Sequence, residues 1–146
     1  MNQLSLPDAD LADAALVPEG GDAAVHGRHL SALALIYLRH AAPARAMVLG
    51  LAAMTMGDLR PQTVLLVAEA LIEAGDPEQA LAVLARFDDD PSIDAGSPAR
   101  LDVPATQAQI AARHYLTARV LYRQGRPEAA RAEMDRAIEL AGVAAP

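Results

Sequence analysis

The sequence predicts an all-α fold built as an array of helix-turn-helix units, on three observations. A turn motif returns at a fixed interval: His40-Ala-Ala-Pro43-Ala-Arg-Ala46 is followed by Ala74-Gly-Asp-Pro77-Glu-Gln-Ala80, with Pro43 and Pro77 34 residues apart. A third copy, Gln124-Gly-Arg-Pro127-Glu-Ala-Ala130, comes 50 residues later, one period plus sixteen residues. Apolar residues recur at three- and four-residue steps on both sides of each turn, the spacing of a helical face. Alanine dominates while aromatics are scarce, which favours helix and lets helix axes approach closely. A period near 34 with helices on either side is the signature of a repeat array, and such arrays hold other proteins.

At 146 residues the chain suits one domain, with a continuous core once about three helical pairs stack. Residues 1–25 read as an acidic, flexible lead-in, with a short helical turn around Ala9 to Val17 ended by Pro18 and Gly20-Gly21. The repeat domain is expected over 26–141, starting near His26 or Gly27. Leu30, Leu33, Ala34, Tyr37 and Leu38 give its first helix one apolar face. Pro43, with fixed φ and no N–H to lose, suits the first turn of the second helix, which runs to about Met56 and is stopped by Gly57-Asp58 and Pro61.

In the second pair, Val64, Val67, Ala68 and Leu71 form the inner face of the first helix. Gly75 supplies a left-handed cap, and Pro77 opens a helix carrying Ala80, Leu84 and Phe87. Residues 88–105, with Asp88-Asp89-Asp90-Pro91, Gly96, Pro98 and Pro104, lack helical periodicity and read as a surface loop. The third pair starts at Ala105 or Thr106. His114, Thr117, Ala118 and Leu121 face inward, Gly125 makes the turn, and Ala130, Met134, Ala137 and Ile138 line the closing helix.

Composition narrows the function classes. Cysteine is absent, which removes disulfides and thiolate metal sites. The formal net charge is −7, and Asp8, Asp10, Asp13, Glu19 and Asp22 stand at the N-terminus with no basic partner. A nucleic-acid surface needs a concentrated positive face, which this chain lacks. All twelve basic residues are Arg, a pattern read as coding bias. No apolar run reaches the ~18 to 20 residues of a membrane span, and no secretory signal opens the chain, so the cytoplasm is the expected compartment.

Candidate chemical sites fail on weighing. His26 and His29 could face one way on a helix, but zinc needs further ligands and none is near. Asp88, Asp89, Asp90 and Asp94 lack the glycine and closing Glu of a calcium loop and read as a solvated acidic turn. Ser31 has no nucleophile-elbow context, and no Gly-rich phosphate loop occurs. His40 reads as a cap on helix-end carbonyls. Glu128, Arg131, Glu133 and Asp135 are spaced as on an exposed helix face, where ion pairs add only ~0.2 to 0.5 kcal/mol. No catalytic constellation emerges, and neither an enzyme nor a cofactor is expected.

Set against the tetratricopeptide repeat (TPR) pattern, the columns agree beyond the turn. Small residues stand where paired helices cross: Ala34, Ala68 and Ala118 in the first helices, Ala46, Ala80 and Ala130 in the second. The large apolar column late in the first helix holds Tyr37, Leu71 and Leu121. Ala41 replaces the glycine of Gly75 and Gly125, and Gly50 stands where Leu84 and Met134 sit, so the first repeat departs most. The chain thus resembles a three-repeat TPR solenoid over about 26–60, 61–90 and 109–141.

That resemblance implies a concave groove lined by the first helices. Its columns are Arg28, Ser31, Leu35, Leu38 and Arg39; then Gln62, Leu65, Glu69, Ile72 and Glu73; then Ala112, Tyr115, Arg119, Tyr122 and Arg123. Leu35, Leu38, Leu65, Ile72, Tyr115 and Tyr122 would form an apolar strip flanked by charges of both signs. Such a strip is costly to leave in water, at about 25 cal/mol per Å². It is expected to bind a partner; packing on a neighbouring helix, on the acidic N-terminal segment or on a second copy in a homo- or heterodimer is the alternative. Tyr115 and Tyr122 are the expected hot spots, each worth about 2 kcal/mol of binding.

Leu35-Ile-Tyr-Leu-Arg-His40, Pro43-Ala-Arg-Ala46 and the alanine-rich second repeat resemble the small YscY-like chaperones of bacterial type III secretion. The resemblance implies a cytoplasmic, non-catalytic chaperone that holds a small secreted partner, the pair engaging the export gate. Alternatives are a class II translocator chaperone, which would bind larger hydrophobic translocators, and a general TPR adaptor outside secretion.

Overall fold

The computed structural model describes residues 20–88 and 100–142. The helical turn expected near Ala9–Val17 and the middle of the 88–105 loop lie outside them. Among the described residues the chain is all-α, with six helices: α1 Gly20–Arg39, α2 Pro43–Thr55, α3 Pro61–Ala74, α4 Pro77–Leu84, α5 Gln107–Arg123 and α6 Pro127–Ala141. A 3-10 turn, Ala85–Phe87, extends α4. Each helix packs on the next within pairs α1/α2, α3/α4 and α5/α6; α3 also packs on α2 and α1, and α5 on both α3 and α4.

The three intra-pair turns are copies of one another. Ala42, Asp76 and Arg126 precede the second helices with φ/ψ of −115/64, −116/71 and −113/65. Their N–H groups donate five residues back, to the carbonyls of Tyr37, Leu71 and Leu121 at 2.9, 2.9 and 3.0 Å. The residue before each is left-handed: Ala41 at φ 56, Gly75 at 90 and Gly125 at 73. Glycine takes that conformation freely, whereas alanine is strained there by about 1 kcal/mol or more. Proline then opens α2, α4 and α6, where its missing N–H leaves no bond unmade. Asp76 adds a side-chain cap, accepting from Gln79 N at 3.2 Å, and Thr106 caps α5 in a reciprocal capping box with Gln109.

The core is centred on the second pair. Val64, Val67, Ala68, Leu71, Ile72, Ala80, Val83 and Leu84 form one buried cluster, joined by Met54 from α2 and by Leu116 and Val120 from α5. The expected inner faces of α3 and α4 are buried as read, with Phe87 half-buried on the 3-10 turn. Gly50 is buried as well. A Cβ there would come within 2.6 Å of Val67 Cγ2, so the absent side chain is what lets α2 and α3 close up.

Several expectations need correction. Helix α1 begins at Gly20 rather than near His26: Asp22 in the first turn complements the helix dipole, and Ala23-Ala24 offset the glycine pair. Leu33 was expected inward but is 45% exposed. Its counterpart Val67 is buried against the preceding pair; among the described residues nothing precedes α1 to cover Leu33. Ile138, placed with Ala130, Met134 and Ala137 on the closing helix, is exposed. Residues 100–105 are not all surface loop, since Leu101 packs on the core and Asp102 N donates to Leu59 O at 3.1 Å.

Candidate protein-docking face

The residues assigned to the groove fall into three environments. At the α1/α3 junction, Arg28, Ser31, Leu35 and Gln62 share the wall of a cavity of about 370 Å³ with Arg60 and Thr63. Leu35 is exposed there, whereas Ser31 is buried. Leu38 and Leu65 are half-buried, Leu65 against the core, and Arg39 at the end of α1 is exposed.

In the middle of the array the expected apolar strip is interrupted. Ile72 is 0% exposed and belongs to the core, so its side chain is not a groove contact. The reason is α5, whose Leu116 and Val120 join the same buried cluster. The charges around it are paired internally: Arg119 bonds Glu73 and stands 3.7 Å from Glu69. Arg123 Nη1 donates to Ile72 O at 2.6 Å, a carbonyl near the end of α3 that also accepts from Gly75 N at 3.2 Å. These residues fasten the third pair to the second.

At the third pair the strip reopens. Tyr115 and Tyr122 are exposed, Tyr122 at 72%, and the Arg119 guanidinium lies 5.7 Å from the Tyr115 ring centre, a cation-π distance. Between α5 and α6 lies a cavity of about 670 Å³. Its wall holds Ala118, Tyr122, Ala130 and Met134, rimmed by Arg119, Arg123, Arg131 and Asp135. The face is therefore two exposed ends, Leu35 and the tyrosines, joined across a sealed middle.

Beneath the first cavity sits a polar cluster that sequence reasoning missed. Asp58 is 3% exposed. Its carboxylate accepts from Arg60 Nε at 2.8 Å, Arg60 Nη2 at 3.0 Å and Thr63 Oγ1 at 2.9 Å. Arg60 Nη2 also donates to Ser31 Oγ at 3.2 Å, and Ser31 donates to Arg28 O at 2.9 Å, so the cluster ties α1 to the start of α3. Burial works against ionising Asp58, but hydrogen bonds from Arg60, Thr63 and Ser31, with the charge of Arg60, together hold its pKa below the ordinary value. The same carboxylate raises the pKa of Arg60. The only sequence signal is an Asp, an Arg and a Thr at close spacing after Gly57.

The weighed residues settle as follows. His114 Nδ1 meets Glu133 Oε2 at 2.5 Å across α5 and α6, so Glu133 is half-buried rather than part of an exposed charged face. Arg136 and Glu139, 3.1 Å apart, form the three-residue-spaced pair on α6. Asp88 pairs with Arg113, while Asp89, Asp90 and Asp94 lie outside the described residues. His26, His29 and His40 are exposed. Among the described residues no three His, Asp or Glu side chains are grouped to hold a metal ion, and no helix is long and apolar enough to cross a membrane.

Comparison with protein-family models, with curated proteins and with solved structures finds no match for this chain.

Proposed function

We propose that the chain is a non-catalytic, TPR-like chaperone or adaptor that holds another polypeptide on the face presented by its first helices. The observation that carries this reading is the exposure of Leu35, Tyr115 and Tyr122 on that face, beside the wide apolar cavity of the third pair. Large apolar side chains held in water mark an interaction surface. The three matching turns support a repeat architecture, and the resemblance in Leu35–His40 and Pro43–Ala46 points to type III secretion. The partner is then a small secreted or export-apparatus protein that buries an amphipathic segment here in the bacterial cytoplasm and is stabilised by mass action. A translocator chaperone, or an adaptor outside secretion, would use the same face and differ only in what it holds.

The test is co-expression with a candidate small secretion substrate, followed by titration of the purified pair. Tyr122→Ala and Tyr115→Ala are each expected to weaken the complex by about 2 kcal/mol, close to thirtyfold in Kd, while leaving the helical signal intact. A complex indifferent to Leu35, Tyr115 and Tyr122 would remove the reading.

A further inference from the structure

We propose that the two ends of this array fit one another, so that helix α1 of a second copy docks in the open cavity between α5 and α6. The internal junctions supply the template. The second pair offers Ala68, Ile72, Ala80 and Leu84, all buried, and α5 covers them with Leu116 and Val120, spaced four apart on one face. Fifty residues on, the same columns read Ala118, Tyr122, Ala130 and Met134. Those four line the 670 Å³ cavity, which among the described residues no helix covers.

The matching surface stands at the other end of the molecule. In α1 the counterparts of Leu116 and Val120 are Ala32 and Ile36, and Leu33 occupies the column where Val67 inserts against α2. All three are exposed, Ile36 at 52%, with Val25 exposed about two to three turns earlier on the same helix. Among the described residues the seat and the helix face are both uncovered, and they are built from the columns that pack inside the chain. The side-chain volumes agree, since Tyr122 is larger than Ile72 and Ala32 is smaller than Leu116.

The flanking chemistry differs from the internal junction. There Arg119 of α5 pairs with Glu69 and Glu73. In the end-to-end contact the column of Arg119 is filled by Leu35 of the incoming α1, exposed and apolar, and the columns of Glu69 and Glu73 by Arg119 and Arg123, so that ion pair has no counterpart there. The centre of the contact is apolar, and charged side chains stand around it. Seat-to-seat pairing of two copies sets Arg119, Arg123 and Arg131 against the same three cations, offset only in part by Asp135 of each rim. An α1-to-seat contact is heterologous: it repeats from copy to copy into chains unless the rotation closes a ring. It shares Leu35, Tyr115 and Tyr122 with the partner face, so a bound partner and a second copy compete.

Sedimentation of the full chain over a range of concentrations tests the proposal. Wild type is expected to grow in mass with concentration, while Ile36→Asp and Met134→Asp alone stay monomeric. Mixed, those two variants each keep one good end and are expected to form a heterodimer and nothing larger. The chain has no cysteine, so Ile36→Cys and Met134→Cys proteins, mixed under mild oxidation, should cross-link to each other, and Val48→Cys on α2 should not cross-link to Met134→Cys. A wild type that is monomeric throughout overturns the proposal, as does a Met134→Cys homodimer forming in preference to the mixed species or a mixture of the Asp variants that stays monomeric. Circular dichroism of each variant separates lost contact from lost fold. Failure here leaves the partner reading standing, because that reading is measured by the co-expressed complex.

Discussion

Ile72 and Tyr122 occupy the same column of successive helix pairs, 50 residues apart, and meet opposite fates. Ile72 is sealed beneath α5, whereas Tyr122 is 72% exposed at the mouth of a cavity. Their local surroundings match: an alanine one turn earlier, a left-handed glycine three residues later, and a proline opening the next helix. What differs is that α5 packs over Ile72, while among the described residues no helix packs over Tyr122. In a repeat array, burial is set by the neighbouring unit as much as by the residue's own helix. A column that is core beneath α5 is exposed in the third pair.

The sharpest test of that contrast is paired truncation, followed by urea unfolding at low protein concentration. Ile72→Ala is expected to cost about 3 kcal/mol, by lost transfer energy and an unfilled cavity. Tyr122→Ala is expected to stay within about 0.5 kcal/mol of wild type. Equal losses at the two positions would show that the third pair is not an open end.

The first junction is a second place to press, because a polar clasp holds it rather than an apolar seat alone. Asp58→Ala leaves Arg60 and Thr63 without their acceptor and is expected to cost about 2 to 3 kcal/mol. The clasp also makes a prediction about acid. Asp58 has a lower pKa folded than unfolded, so its contribution is complete above the ordinary value of 3.8 and is lost as the pH falls through the lower folded one. Wild-type stability should fall in that acid range more steeply than that of Asp58→Ala. Identical acid limbs would mean the carboxylate holds nothing.

Much of this was legible beforehand. The period, the three turns and the alanine columns follow from Pro, Gly and Ala at fixed offsets, and local chemistry of that kind survives in any context. Leu33 and Ile138 fit the helical spacing yet stand exposed, because periodicity marks an apolar face without saying whether anything lies against it. Leu116 and Val120 were missed for the converse reason: they face the neighbouring pair, not their own partner helix. The Asp58 clasp and the His114–Glu133 contact depend on side chains meeting across helices, and spacing along one helix does not report that. At the two ends of the expected strip Leu35, Tyr115 and Tyr122 stand exposed. The strip fails at Ile72, where α5 closes over the column.

Smaller effects probe how closely each junction is fitted. Gly50→Ala is expected to cost about 2 kcal/mol, because its methyl meets Val67 Cγ2 and two helices must move apart. The same unfolding curves measure it, and a neutral result would mean the first junction is looser than the distances say. Ala41→Gly is expected to add roughly 0.5 to 1 kcal/mol by relieving a left-handed alanine, the gain being trimmed by the freer unfolded chain. A loss on that change would break the equivalence of the three turns.

The notch at Gly50 also limits how freely the units can be exchanged. A protein assembled from three copies of the second pair would bring Leu84 to the position where this chain leaves room for a valine's methyl. Averaging the three units into one idealised sequence would remove the missing atom that the first junction is shaped around. The molecule is modular in its turns but bespoke in its joints, and recombining its parts has to respect the joints.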